Sequence, residues 1–356
     1  MKKILFIVLT SCLLLIGKDA MATPPSEKMS AYLMVYHKDA DHSLHMAISH
    51  DGYHWKALNG DRPVIAGDTI AEQRGIRAPH IFRGPDGAFY LSMTDLHIFA
   101  QRDGYRTTKW ERDDKQFGWG NNRGLVLMKS HDLLHWTRAN INFTQLANIP
   151  GQSSPNSSLP LADIGCVWAP ETTYDDETGQ LMIHFTMRHG KQNNALYYSY
   201  INNDYNKLLT MPKLLLEAPD RKYSVIDGDI VKHGGKYHLF YVSHESGACI
   251  CRATADHITG PYTVNPQRVS TERRGHEAPN VWQRISDGAY VLMYDIYRNN
   301  PHTFGFDEST DLEHFTHLGQ FSDDCMKMEG CVSPKHGTVV QITEEEARRL
   351  ECKWNK

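Results

Sequence analysis

Arg77-Ala78-Pro79-His80 opens a short apolar run, and the same kind of opening returns four more times along the chain. The other copies are Trp168-Ala169-Pro170-Glu171, Ile226-Asp227-Gly228-Asp229, Glu277-Ala278-Pro279-Asn280 and Lys335-His336-Gly337-Thr338. Five copies of one strand opening imply five copies of one structural unit. The polar residues gathered there (His80, Glu171, Asp227, Asp229, Glu277, His336) occupy similar registers, so a radial fold would carry them to one central place.

Working outward, each of the first four openings is followed by two more stretches of strand composition. Second strands are expected at Phe89–Asp95, Leu181–Met187, Tyr237–Ser243 and Tyr290–Tyr297, and third strands at Leu125–Ser130, Ala195–Tyr200, Ile250–Ala253 and Thr303–Glu308. A turn with an acidic residue and an aromatic or apolar close then follows, as in Ser130-His131-Asp132-Leu133-Leu134-His135-Trp136 and Ser309 to Phe315. The fifth opening lies too near the C-terminus to supply its own partners. Those are found at the other end, in Tyr32–His37 and Leu44–Ser49, followed by Ser49-His50-Asp51-Gly52-Tyr53-His54-Trp55. Completing the last blade with the first strands hides edges that would otherwise invite pairing. The expected fold is all-β: a five-bladed β-propeller whose last blade is closed by N-terminal strands, with a short helix over Glu344–Leu350.

Bulk properties set further bounds. A chain of 356 residues with a net charge of −4 and mixed signs throughout has no basic stripe, so nucleic acid is not an expected partner. Lys2 and Lys3, the apolar run from Ile4 to Gly17 and Ala20-Met21-Ala22 read as an export signal over 1–22, leaving 23–356 as one propeller domain. The expected location is periplasmic or secreted; Leu9-Thr10-Ser11-Cys12 also resembles a lipobox, which would instead anchor the protein to the outer membrane. No later apolar run approaches a membrane span. Six of the seven cysteines lie beyond the signal; Cys325 and Cys331 could close a short loop, and no pair has zinc spacing.

Glu171 and Glu277 stand at the mouths of innermost strands, each within two residues of a proline that stiffens the backbone. Two fixed carboxyls across a pocket are the apparatus of glycoside hydrolysis, one protonating the leaving oxygen and the other activating water or tuning its neighbour. The alternative for any of these acids, Asp227 and Asp229 included, is to bond strand-end amides. His80 and His336 are either core histidines or, for His336, an organiser of an axial calcium ion; no cofactor is otherwise required. Two insertions, His97–Gly124 and Thr137–Gly165, interrupt the first unit, and the first of them carries Tyr105, Trp110, Phe117 and Trp119, either packing residues or a sugar-facing wall.

These motifs resemble glycoside hydrolase family 43 and its relatives, exported bacterial five-bladed propellers that release arabinose or xylose from plant polysaccharides with inversion. Similarity runs from Ala31 to Thr338. The resemblance of Trp168 to Glu171 implies that Glu171 modulates and orients, with Asp227 of Ile226-Asp227 as rival for that role, and Glu277-Ala278-Pro279 implies that Glu277 is the general acid. Arg77, His80, Trp168, Trp119 and Asp227 are the expected substrate contacts. Where the family places its catalytic base as Asp-Pro, this chain has Ala78-Pro79. Three explanations stand side by side: Asp229 or Glu72 holds the water, the enzyme acts slowly or on an unusual glycoside, or the protein only binds sugar. The expected activity is exo-α-L-arabinofuranosidase on plant oligo- or polysaccharide. Its alternatives are a β-xylosidase or galactosidase on the same scaffold and a carbohydrate-binding propeller without turnover.

Overall fold

The computed structural model describes residues 28–146, 161–321 and 325–355, so the expected signal at 1–22 and part of the second insertion lie outside the described residues. Five sheets surround one axis, antiparallel except where Lys327–Glu329 runs parallel to His54–Ala57 at the outer edge of the closing blade. Four contain consecutive strands, beginning at Ile76–Arg83, Ile164–Asp175, Val225–His233 and Glu277–Gln283. In the fifth, Lys335–Thr343 pairs antiparallel with Met29–His37, which joins the two ends of the chain in one blade. The expected second strands fall on Phe89–Asp95, Gln180–His189, Lys236–Ser243 and Tyr290–Ile296. Thr137–Asn142, read from sequence as insertion, is instead the outermost strand of the first blade.

Hydrophobic cores lie between blades, one for each interface. Alternation along a strand sends neighbours to opposite sides: Phe89 and Leu91 pack toward the closing blade, while Tyr90 joins Ile183 and Phe185 of the next. Because every middle strand is buried on both faces, these segments read as apolar runs rather than half-polar ones. The helix Glu344–Trp354 is fixed by a capping box between Thr343 and Glu346 and presses Ala347 and Leu350 into the first interface. Glu346 also pairs with Arg83.

The acidic turns are structural. In three blades a serine oxygen accepts the N–H three residues on (Gly52, Leu133, Leu312, at 2.8, 2.9 and 2.9 Å), and an aspartate two residues after the serine accepts from His54, His135 or His314. The six cysteines among the described residues form no disulfide. The expected Cys325–Cys331 bridge is absent because Cys331 is turned against Tyr36 and Asp61 while Cys325 is exposed. Among the described residues no helix is long and apolar enough to cross a membrane.

Candidate active site

Each innermost strand begins with the same distortion. Ala78, Ala169, Asp227, Ala278 and His336, the second residues of the five openings, all have positive φ, between 43° and 57°. In every blade the second and third opening residues together face one partner residue, which is a β-bulge: Arg77 pairs with Thr94 but His80 with Ser92, and Glu277 with Asp295 but Asn280 with Met293. A non-glycine residue in this region costs about 1 to 2 kcal/mol. Alanine, aspartate and histidine are held there by what their amides bond.

Those bonds pass from blade to blade. The Ala169 amide donates to Thr94 Oγ1 of the preceding blade (2.9 Å) and the Asp227 amide to Thr186 Oγ1 (3.0 Å), while Ala78 N lies 3.2 Å from His37 Nδ1. Each of these acceptors is the residue paired with the first position of the preceding opening. In the third blade that residue is Val242, which has no polar atom. Asp227 itself takes over, accepting the Ala278 amide at 3.3 Å.

A second ring lies further along the strands, made by the fourth opening residues. Asn280 Oδ1 accepts from Val339 N (2.9 Å), Thr338 Oγ1 from Ile81 N (3.1 Å) and Asp229 Oδ2 from Val281 N (2.5 Å), while His80 Nδ1 faces Thr172 N at 3.2 Å. Four of the five side chains therefore stitch one blade to the next. Glu171 is the fifth. Its carboxyl hydrogen-bonds Asp229, with Glu171 Oε2 3.9 Å from His80 Nε2, and burial followed by the Asp229 charge pushes its pKa well up. Asp229 is pushed up to about 7 by burial. His80, His184 and His336 are held down to about 3, chiefly by burial, and are neutral at physiological pH. His80, Glu171, His184, Asp229 and Asn280 line a small cavity of about 150 Å³.

The mouth of the channel is different in kind. Glu277 is 29% exposed, and its Oε1 lies 3.9 Å from Lys335 Nζ, which also lies 3.7 Å from Asp295 Oδ2. Asp227 is fully buried beside it; burial, then the Glu277 charge, raise its pKa well above the usual carboxylate range. Asp295 is raised to about 7 by burial, opposed by Lys335. Arg77 pairs with Asp39. Trp168 stands under the Arg188 guanidinium (4.7 Å), donates its indole N–H to Gly120 O, and meets Trp119 edge-on at 5.7 Å. Trp119 is 57% exposed, whereas Trp110 is buried against it. Beside the mouth runs a groove of about 440 Å³, lined by His302, Thr303, Val332 and Ser333 among others.

The structure thus brings Glu277, Asp227 and Arg77 to the mouth, with Trp168 and Trp119 as an aromatic wall. Glu171, Asp229 and His80 sit in the inner ring, so the expected pairing of Glu171 with Glu277 gives way to Glu171 with Asp229 and Asp227 with Glu277. The bulge explains the change: it separates the first two opening residues from the fourth. Glu72 is exposed and lies by Asp95 and Arg123, in the first blade's insertion region. Among the described residues no three His, Cys, Asp or Glu side chains are arranged to hold a metal. His336 offers nitrogen where calcium takes oxygen, so it would act on an axial ion through water rather than as a ligand. Sequence reasoning missed Lys335, Asp295 and Asp39. Lys335 had a signal, since it opens the fifth strand as Glu277 opens the fourth.

Residues 27–348 match the sequence model of a family described as "Probable glycosyl hydrolase domain". An α-L-arabinofuranosidase of Bifidobacterium longum is 24% identical over 263 residues, 66% of this chain, and the chain spans about one fifth (21%) of that relative's length. Among solved structures, a thermostable family-43 glycoside hydrolase superposes with a TM-score of 0.55 at 14% identity, covering 82% of this chain and 90% of its own. A xylan β-1,4-xylosidase from Bacillus halodurans gives 0.56 at 14% identity, covering 88% and 56%. At these identities the superpositions establish the propeller fold.

Proposed function

The chain belongs to the family 43-related group of glycosyl hydrolase domains, and from that premise we propose that it is an exo-acting, inverting glycosidase that removes terminal pentose, α-L-arabinofuranose, from plant glycans. The observation that carries the reading is the pair at the mouth: a partly exposed Glu277 beside a fully buried Asp227. Burial, then the Glu277 charge, make Asp227 costly to ionise and favour its protonated form. Glu277, the member open to solvent, is the general acid that protonates the leaving oxygen. Asp227, fixed by the Ala278 amide, orients the sugar beside it. This assigns the modulating role to Asp227, and leaves Glu171 with Asp229 as structure.

Trp119 and Trp168 offer faces and edges suited to the CH-rich side of a sugar, and the groove beside His302 has room for the remainder of the glycan. Export, with 1–22 as signal, belongs to the same proposal.

Glu277→Gln tests it. On an aryl α-L-arabinofuranoside the variant should lose about 10²- to 10⁴-fold in kcat, with thermal unfolding unchanged; a wild-type rate would remove Glu277 from the acid role. One observation favours a second reading: Ala78 cannot accept a proton where the family's base is expected. A sugar-binding propeller would bind plant oligosaccharides in calorimetry yet release no product from any of them.

A further inference from the structure

Inversion requires a carboxylate opposite the acid to take a proton from the attacking water. We propose that Asp39, carried on the hairpin of the closing blade, is that general base and stands in for the side chain missing at Ala78. This rests on the hydrolytic reading above and adds a residue to it.

The argument begins with the surroundings of Ala78. Its amide is met by His37 Nδ1 at 3.2 Å, and the other ring nitrogen of that histidine lies 3.7 Å from Asp39 Oδ1. On the other side of Asp39 is Arg77, the residue immediately before Ala78, whose guanidinium bonds the same carboxylate. Asp39 is therefore tied both to the ring that meets the Ala78 amide and to the residue before it. The adjoining blade thus brings a carboxylate to the surroundings of the opening that lacks one.

Asp39 also shares charged neighbours with the acid. His302, on the hairpin after Tyr290–Ile296, lies in the field of Asp39, Arg77, Lys335 and Glu277 together. The charge of Lys335, 3.9 Å from Glu277, acts on Asp39 as well. One quarter of the Asp39 side chain is open to solvent, close to the exposure of Glu277, whereas Asp229 is buried and bonded to Val281 N. Asp39 is thus a carboxylate, bonded to the residue before Ala78, that water can reach. Burial opposes ionisation, but His37 and then Arg77 outweigh it and hold the carboxyl well below the usual carboxylate range, so it is ionised as a base must be while the same partners weaken its pull on a proton.

The step balances. Water oxygen attacks the anomeric carbon as its proton passes to Asp39, the glycosidic C–O bond breaks, and Glu277 gives its proton to the departing oxygen. One proton enters Asp39 and one leaves Glu277, and exchange with solvent restores both. Arg77 and His37 are positioning residues for the carboxylate.

The test uses the full chain with aryl α-L-arabinofuranosides and β-xylosides as probes. Asp39→Asn, nearly isosteric, should lower kcat about 10²- to 10⁴-fold with KM close to that of the parent. Asp39→Ala should be equally slow and recover with sodium azide, yielding a glycosyl azide of inverted configuration. A purely structural role for Asp39 would slow the variants without azide rescue, and that result overturns the proposal, as does an Asp39→Asn enzyme at the parent rate. If the parent protein hydrolyses none of the probes, the hydrolytic reading itself falls and this inference with it; an active parent with an unaffected variant sinks the inference alone. Should Asp39→Ala fail to fold, the Asn variant still decides the kinetic arm.

Discussion

Glu277 with Asp227 and Glu171 with Asp229 are two carboxyl pairs in successive rings of one axial channel, and they differ in what surrounds them. The inner pair is enclosed: Asp229 accepts a backbone amide of the next blade, Glu171 bonds Asp229, and neutral histidines close the space. The mouth pair has one buried member and one reached by solvent, with a lysine between Glu277 and Asp295. Similar acids at similar strand openings thus do different work. An acid that spends its oxygens on backbone amides holds blades together; one that keeps an oxygen open to water can exchange a proton with a ligand.

The contrast predicts opposite phenotypes. The largest effect belongs to the mouth: beyond the loss expected for Glu277→Gln, Asp227→Asn should lower kcat by about 10- to 10²-fold, because the carboxyl beside Glu277 is gone while an oxygen remains for the Ala278 amide. If Asp227→Asn instead destabilised the fold and left kcat intact, the two rings would have to exchange roles. In the inner ring, Asp229→Ala leaves the Val281 amide without its acceptor and should cost about 1 to 3 kcal/mol in urea unfolding, with KM unchanged.

Asp229→Asn should be milder and should alter pH dependence. Native Asp229 binds its proton more tightly than the unfolded chain does, with its pKa raised from 3.8 to about 7. Its contribution to stability is therefore whole below the unfolded value and is lost as pH rises through about 7. Unfolding midpoints of the parent should fall across that window, and the Asn variant should flatten the slope; an unchanged slope would show that Asp229 is not the titrating group. The smallest effect is expected at the rim, where Trp119→Ala should raise KM a few-fold and leave the melting temperature in place, since the ring is mostly exposed. A large drop in melting temperature would make Trp119 a packing residue.

Much of this was legible without coordinates. The five openings marked five innermost strands, and the apolar segments after them fell within a few residues of the observed ones because middle strands buried on both faces carry a strong, uninterrupted signal. Glu277 was recognisable at its mouth position. The division of labour among the acids was not, because it turns on the bulge: Asp227 and Asp229 are two residues apart in sequence, yet one faces Glu277 and the other Glu171. Strict alternation would have put both on one face. Asp39 carried no motif, since its place depends on a hairpin from the opposite end of the chain.

The sequence by itself determined the number of blades, the closure of the ring by both termini and the polar character of the channel, because repeated local patterns specify repeated local structure. Only the tertiary structure decided which acids meet. Five left-handed residues re-aim the strand openings, each blade hands its amides to the side chains of the one before, and Val242 leaves Asp227 to fill a bond that a threonine fills elsewhere. Such contacts join residues tens to hundreds of positions apart, and the burial that raises the pKa values of Glu171, Asp227, Asp229 and Asp295 exists only once the ring is closed.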